Sequence, residues 1–194
     1  YHFLPHPAHR VRAKLLSHSA LFVYSCLMVL TISVFKIVPR VAPGVLGYAS
    51  NINVRDVFNG TNTERSKNGL NKLRLNTELT AAAEKKAKDM FKDNYWAHVS
   101  PTGIQPWSFI LTEKYDYSYA GENLAKNFNT SKEVVQAWMD SSSHRENMLS
   151  DNYDEVGFAV VNGVLEGYET TLVVEFFGRP RDSSLAASAV DEQK

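Results

Sequence analysis

The spacing of apolar positions changes along the chain, and each change marks a different element. From Ala20 to Phe35, sixteen residues carry no charge, and Ile37 and Val38 extend the run past Lys36, whose long side chain can snorkel. At about 1.5 Å per residue the run reaches close to the ~30 Å of a bilayer's hydrocarbon core. It shows no polar stripe of the kind a globular helix carries, so it predicts a membrane-spanning helix over residues 20–38, preceded by a basic segment at 1–19. Residues 39–52, with Pro39, Pro43, Gly44 and Gly47, read as a linker.

Helical periodicity begins after Asn53, where Val54, Val57, Phe58 and Thr61 share a face, and it stops at the capping pair Asn68-Gly69. A second helix follows Asn76, with Leu79, Ala83, Ala87, Met90 and Phe91 inward and Glu84, Lys85, Lys88 and Asp89 toward water. Pro101, Gly103 and Pro106 mark a loop before a short helix over Trp107–Lys114. Thr130 and Glu133 have capping-box spacing and open a helix through Val134, Val135 and Trp138. Ser143 and Glu146 repeat that spacing, which predicts a short helix starting at His144. Beyond Asp151 the period falls to two: Val156–Val161 and Thr170–Phe177 read as strands, with a hairpin turn at Asn162-Gly163. Residues 179–194 are small and polar and read as a disordered tail. The domain between these appendages, residues 53–178, is therefore α+β, with helices first and a strand hairpin last.

Composition refines this organisation. A chain of 194 residues suits one domain with appendages, and it opens on Tyr1 rather than Met, as a piece of a longer reading frame does. The net charge of zero conceals an asymmetry. Residues 1–40 hold Arg10, Arg12, Lys14, Lys36 and Arg40 and no acid, leaving 16 basic against 21 acidic side chains beyond them. Three cations before the span and two after it place the N-terminus inside the cell and residues past 40 outside. The alternative is a cleaved signal peptide with Gly47-Tyr48-Ala49 as cleavage site, and a secreted product, although the gap from Phe35 is long for that. The lone Cys26 excludes an intramolecular disulfide, so stability comes from core packing. An acidic domain without a basic stripe excludes nucleic acid as a partner.

The candidate chemistry collects in three polar segments. His98 follows Tyr95-Trp96-Ala97, Glu122 lies in Ala120-Gly-Glu-Asn-Leu-Ala125, and His144 follows Ser141-Ser142-Ser143. These are the two histidines outside the first eighteen residues. A histidine at a helix N-terminus tends to stay neutral, and neutral imidazole is the form that ligates metal or acts as a base. Glu122, among small and apolar residues, is expected to be partly buried, which requires a partner or a raised pKa, while Asn123 beside it suits scaffold work. A structural reading competes for each: a loop histidine bonded to a carbonyl, a packed histidine at a helix start, a loop-holding carboxylate. Ser141, Ser142 and Ser143 neighbour His144, but side chains that close together at a helix start usually point apart, which argues against a serine nucleophile. Phosphate-binding loops, dinucleotide fingerprints, His-Glu-x-x-His and Gly-x-Ser-x-Gly do not occur in the sequence.

Taken in order, Trp96-x-His98, Gly121-Glu-Asn-Leu-Ala125, Val135-x-x-Trp138, His144-Arg145-x-Asn147-Met148-Leu149, Val156-Gly157 and Val174-x-Phe176-x-Gly178 resemble the CAP superfamily of cysteine-rich secretory, antigen 5 and pathogenesis-related-1 proteins, in its short disulfide-free bacterial branch. The resemblance implies a three-layer α-β-α sandwich with a central antiparallel sheet. It also implies a cleft carrying two histidines and two acids, with divalent metal such as zinc proposed for the histidines. On matching positions His98 and His144 are the histidines and Glu122 the first acid, with Asn123, Ser141 and Arg145 about the cleft. The second acid falls on Ser141 in this chain, and the adjacent Asp140 would point about 100° away on a regular helix. Three functions follow as expectations. One is a membrane-tethered extracellular module binding a small or polymeric ligand, such as a lipid or a cell-envelope polymer. Another is a metal-dependent hydrolase of peptide or cell-wall material, with Glu122 as general base. The third is a structural or adhesive surface domain.

Overall fold

A computed structural model describes residues 17–41 and 50–181, which fall into two compact units divided near Gly47. The first unit contains one described element, α1 (His18–Val41). Its segment His18–Ile37 is long and apolar enough to cross a membrane, and none of that segment is buried within the protein. The expected linker is shorter than its composition implied, because residues 39–41 continue α1 and Asn51 forms a β-bridge with Thr130. The possible cleavage site at Gly47-Tyr48-Ala49 and the tail from 182 onward lie outside the described residues.

In the second unit each helix starts where its sequence supplies a cap. The Asn53 side chain accepts the Asp56 amide at 2.9 Å and opens α2 (Val54–Lys67), which ends at Asn68 with Gly69 at a φ of 74°. A two-residue strand β1 (Arg74–Leu75) follows. The Asn76 side chain accepts the Leu79 amide at 2.8 Å and opens α3 (Thr77–Lys92). Pro106 stands at the start of α4 (Pro106–Thr112), where its missing N–H costs nothing. Strand β2 (Tyr117–Lys126) comes next, then α5 (Ser131–Asp140), whose Thr130–Glu133 capping box forms as its spacing predicts. The last helix, α6 (Ser142–Met148), begins two residues before the expected start, and Ser143 lies inside it rather than capping it. The described residues close with β3 (Glu155–Leu165) and β4 (Tyr168–Pro180), so Arg179 and Pro180 belong to a strand, not to a tail.

The four strands lie in the order β1-β3-β4-β2, antiparallel throughout except that β1 runs parallel to β3. Alternation along β4 sorts its residues to two faces. Leu172, Val174 and Phe176 meet Leu79, Met90 and Ile110 of α3 and α4, whereas Val173 and Phe177 meet Val57, Val134, Trp138 and Met148 of α2, α5 and α6. Two separate apolar clusters on one sheet make the three-layer α-β-α sandwich.

The β3–β4 hairpin turns elsewhere than expected. Asn162 and Gly163 stay in the ladder opposite Thr171 and Thr170, and the turn falls at Glu166-Gly167, both at positive φ. Gly163 serves packing: a Cβ there would stand 2.7 Å from the Phe91 ring.

Candidate functional site

His98 stands on the loop after α3, and a buried lysine determines where that loop lies. Lys86 sits on the inward face of α3 with no exposed surface. Its ammonium donates to the carbonyls of His98 (2.6 Å) and Ala97 (3.0 Å) and to the Tyr95 hydroxyl (3.1 Å). The Tyr95 hydroxyl in turn donates to Asp89 at 2.6 Å, and the Tyr95 ring lies under the ammonium at 4.9 Å. Lys86 thus ties two consecutive peptide carbonyls to a rigid helix, just where the His98 side chain departs.

Glu122 lies in mid-strand rather than on a loop, because the whole segment 117–126 pairs with β4. Residues 121–125 are all buried, so no polar alternation announces the strand. The Glu122 side chain is 2% exposed and its Oε1 meets His98 Nδ1 at 2.5 Å, while the His98 ring is 56% exposed. The pair therefore joins an open imidazole to a carboxylate sealed behind it. That hydrogen bond raises the His98 pKa, with burial pulling the other way. Burial raises that of Glu122, opposed by His98 and by Lys86. Glu122 Oε2 is buried without a hydrogen-bond partner. This placement orients a ring and does not face Glu122 toward water in the cleft.

His144 sits in the first turn of α6, and its Nδ1 lies 2.9 Å from Ser141 Oγ. The expectation that neighbouring serines point away from this ring fails for Ser141. The extended backbone at Ser141 (φ −90°, ψ 125°) lies where α5 ends and α6 begins, so its side chain and His144 emerge on the same side. Burial lowers the His144 pKa, and the nearby His98 adds to the effect. Both effects act in the direction that favours the neutral ring.

A scaffold under the sheet holds α6 in place. Asn123 is fully buried and donates to the His144 carbonyl at 3.2 Å and to Glu175 at 3.3 Å. Asn147 donates to the Glu122 carbonyl at 3.1 Å and to Asn123 Oδ1 at 3.0 Å, linking β2 to α6 directly. Arg65 of α2, also buried, donates to the carbonyls of Met148 (3.0 Å), the last residue of α6, and Ser150 (2.7 Å) just past it. Glu175 has no exposed surface, accepts from Thr61 at 3.0 Å, and has its pKa pushed up to about 8 by burial.

His98, His144 and Ser141 line one cleft of about 470 Å³, whose walls include Trp96, Phe128 and Trp138. Of the other residues expected there, Glu122 lies behind His98 and Asn123 beneath His144. Arg145 is exposed and bonded to the Met139 carbonyl at 2.9 Å, away from that lining, because one step along a helix turns it from the His144 face. Asp140 turns away as the helical angle requires, accepting from Gln136 at 2.9 Å. Lys86 and Asn147 escaped the sequence reading as site residues. Asn147 carried a signal in its spacing from His144, whereas nothing marks Lys86 among its helix's other lysines.

Each imidazole thus has Nδ1 engaged, by Glu122 or by Ser141, which leaves Nε2 of both rings for a ligand. Among the described residues no group of three or more His, Cys, Asp and Glu side chains is placed to hold a metal ion. The donor set is two imidazole nitrogens beside a hydroxyl.

The family described as the cysteine-rich secretory protein family, CAP, matches residues 58–176. Over 101 residues the chain is 42% identical to the uncharacterised protein YkwD of Bacillus subtilis (strain 168), covering 52% of this chain and 39% of that protein. Over 106 residues it is 30% identical to the uncharacterised membrane protein YlbC of the same strain, covering 55% of this chain and 31% of that protein. The chain matches well under half the length of either relative. Among solved structures, an extracellular protein containing a SCP domain from Bacillus anthracis str. Ames is similar with a TM-score of 0.56 and 28% identity, over 64% of this chain and 39% of that one. An outer surface protein of Borrelia burgdorferi gives a TM-score of 0.57 at 22% identity, over 66% of this chain and 95% of that one, a likeness of fold.

Proposed function

Since this chain belongs to the cysteine-rich secretory protein (CAP) family, we propose that it is a membrane-anchored, extracellular ligand-binding protein whose His98–His144 cleft takes a small or polymeric cell-surface ligand, with a divalent ion such as zinc shared by the two imidazoles. One observation carries this reading. Two histidines from separate elements line the same cleft, and each has Nδ1 tied back so that Nε2 remains for a ligand. A carboxylate behind a metal-binding histidine is the usual device for fixing the ring's tautomer and orientation, and Glu122 has that place. With two protein nitrogens and, among the described residues, no third His, Cys, Asp or Glu side chain placed to hold the ion, the residues fit an open and exchangeable site, in which a ligand's own oxygen atoms complete the shell. The anchor rests on α1, on the cations before it, and on a relative named as a membrane protein. The extracellular side rests on the same charge asymmetry and on the Bacillus anthracis neighbour.

The test is calorimetric titration of zinc into the compact unit 48–194, which excludes the four N-terminal histidines. One saturable site is expected in the parent protein, and none when His98→Ala and His144→Ala are combined. Equal heats from both proteins would rule out metal at this cleft.

A further inference from the structure

A serine in the cleft, Ser141, is not spent on capping its helix. Ser141 occupies the N-cap position of α6, where a serine ordinarily accepts a backbone amide two or three residues on, yet its side chain makes no such bond. Its hydroxyl instead lies 2.9 Å from His144 Nδ1, with Ser143 Oγ at 3.4 Å. Both Ser141 and His144 line the cleft, so the pair is open to a ligand. Behind it, Asn123 holds the His144 carbonyl, and Asn147 ties the same helix to β2, which fixes the ring's origin.

We propose that Ser141 is a nucleophile for acyl transfer, with His144 as its base and carboxylic esters with an apolar acyl part as the substrate class. A hydroxyl becomes a useful nucleophile when a neutral imidazole within hydrogen-bond reach takes its proton, and this pair has that geometry. Ser141 Oγ bonds to the ester carbonyl carbon as its proton passes to His144 Nδ1, and the carbonyl electron pair moves onto oxygen. Collapse of that adduct breaks the bond to the alkoxide, which leaves with the proton from His144. Water then attacks the acyl-serine by the same route, releasing the carboxylic acid. The substrate class follows from the walls: Trp96, Phe128 and Ala137 line the same cleft with apolar side chains.

This activity goes beyond the metal reading and alternates with it. Base action needs the lone pair on Nδ1 and the proton on Nε2, whereas a metal on Nε2 leaves the proton on Nδ1, where Ser141 can only accept it.

The experiment treats the full chain in detergent, with a chelator present, with a fluorophosphonate probe, and maps adducts by mass spectrometry. Ser141 is expected to be modified, with loss of the adduct in Ser141→Ala and labelling slowed at least ~100-fold in His144→Gln. In His144→Gly, free imidazole is expected to restore labelling, an outcome that a purely structural histidine would not give. Thermal unfolding of each variant shows whether it is folded. No adduct on Ser141 in the parent protein, or an unchanged rate in folded His144→Gln, would overturn the proposal.

Discussion

At the scale of single residues, the site is a set of side chains held from behind. Lys86 fastens the carbonyls of Ala97 and His98, Glu122 fastens the His98 ring, and Asn123 and Asn147 fasten the helix that carries His144. The hydrogen bond to Glu122, and then the charge on that carboxylate, raises the His98 pKa, while burial and Lys86 act downward. Glu122→Gln removes the charge and leaves a weaker, neutral acceptor against the downward influences, so NMR titration should find His98 protonating at lower pH than in the parent protein. An unchanged midpoint would show that the carboxylate does not hold this ring. The histidines and Glu122 were legible in sequence because ionisable groups among aromatic and small residues are unusual. Lys86 was not legible, since its neighbours Lys85 and Lys88 are ordinary exposed lysines and only tertiary packing distinguishes it. The Ser141–His144 contact was misjudged, because it depends on a backbone bend between two helices that no local pattern announces.

At the scale of elements, helices with polar faces were legible and buried strands less so. α3 follows its expected face closely, with Leu79, Ala83, Ala87 and Met90 all buried. β2 was missed because it is covered on both sides and carries Gly, Glu and Asn in place of an alternating pattern. The hairpin turn was misplaced because Asn-Gly is a strong local signal, and here the packing of Phe91 against Gly163 outweighs it. Two glycines separate these effects. A Cβ at Gly157 would stand 2.2 Å from the backbone of Leu79 and Thr80, so Gly157→Ala must push α3 off β3. Gly167 has open space and only its φ of +85° to lose. Urea unfolding should show Gly157→Ala costing about 3 kcal/mol or more, at the upper end for overpacking. Gly167→Ala should cost about 1–2 kcal/mol, for left-handed backbone alone. Similar costs at the two positions would contradict the close approach of α3 and β3.

At the scale of the molecule, the chain joins an apolar helix and an acidic three-layer domain. Element order made the α+β class legible, since helices precede a strand hairpin, whereas the three layers were expected only from the family resemblance, and two apolar clusters on opposite faces of one sheet realise them. The cleft emerges where the loop after α3, strand β2 and the α5–α6 corner meet, and this convergence is what no single segment could reveal. In the proposed site, His98 and His144 face one ligand through their Nε2 atoms. Long-range proton–nitrogen NMR of the unit 48–194, recorded as zinc is added, reads each ring nitrogen directly. The prediction is that Nε2 of both rings moves to the metal-bound range at the same zinc ratio, with the proton on Nδ1. If neither ring changes, or if only one does, the two imidazoles do not share an ion.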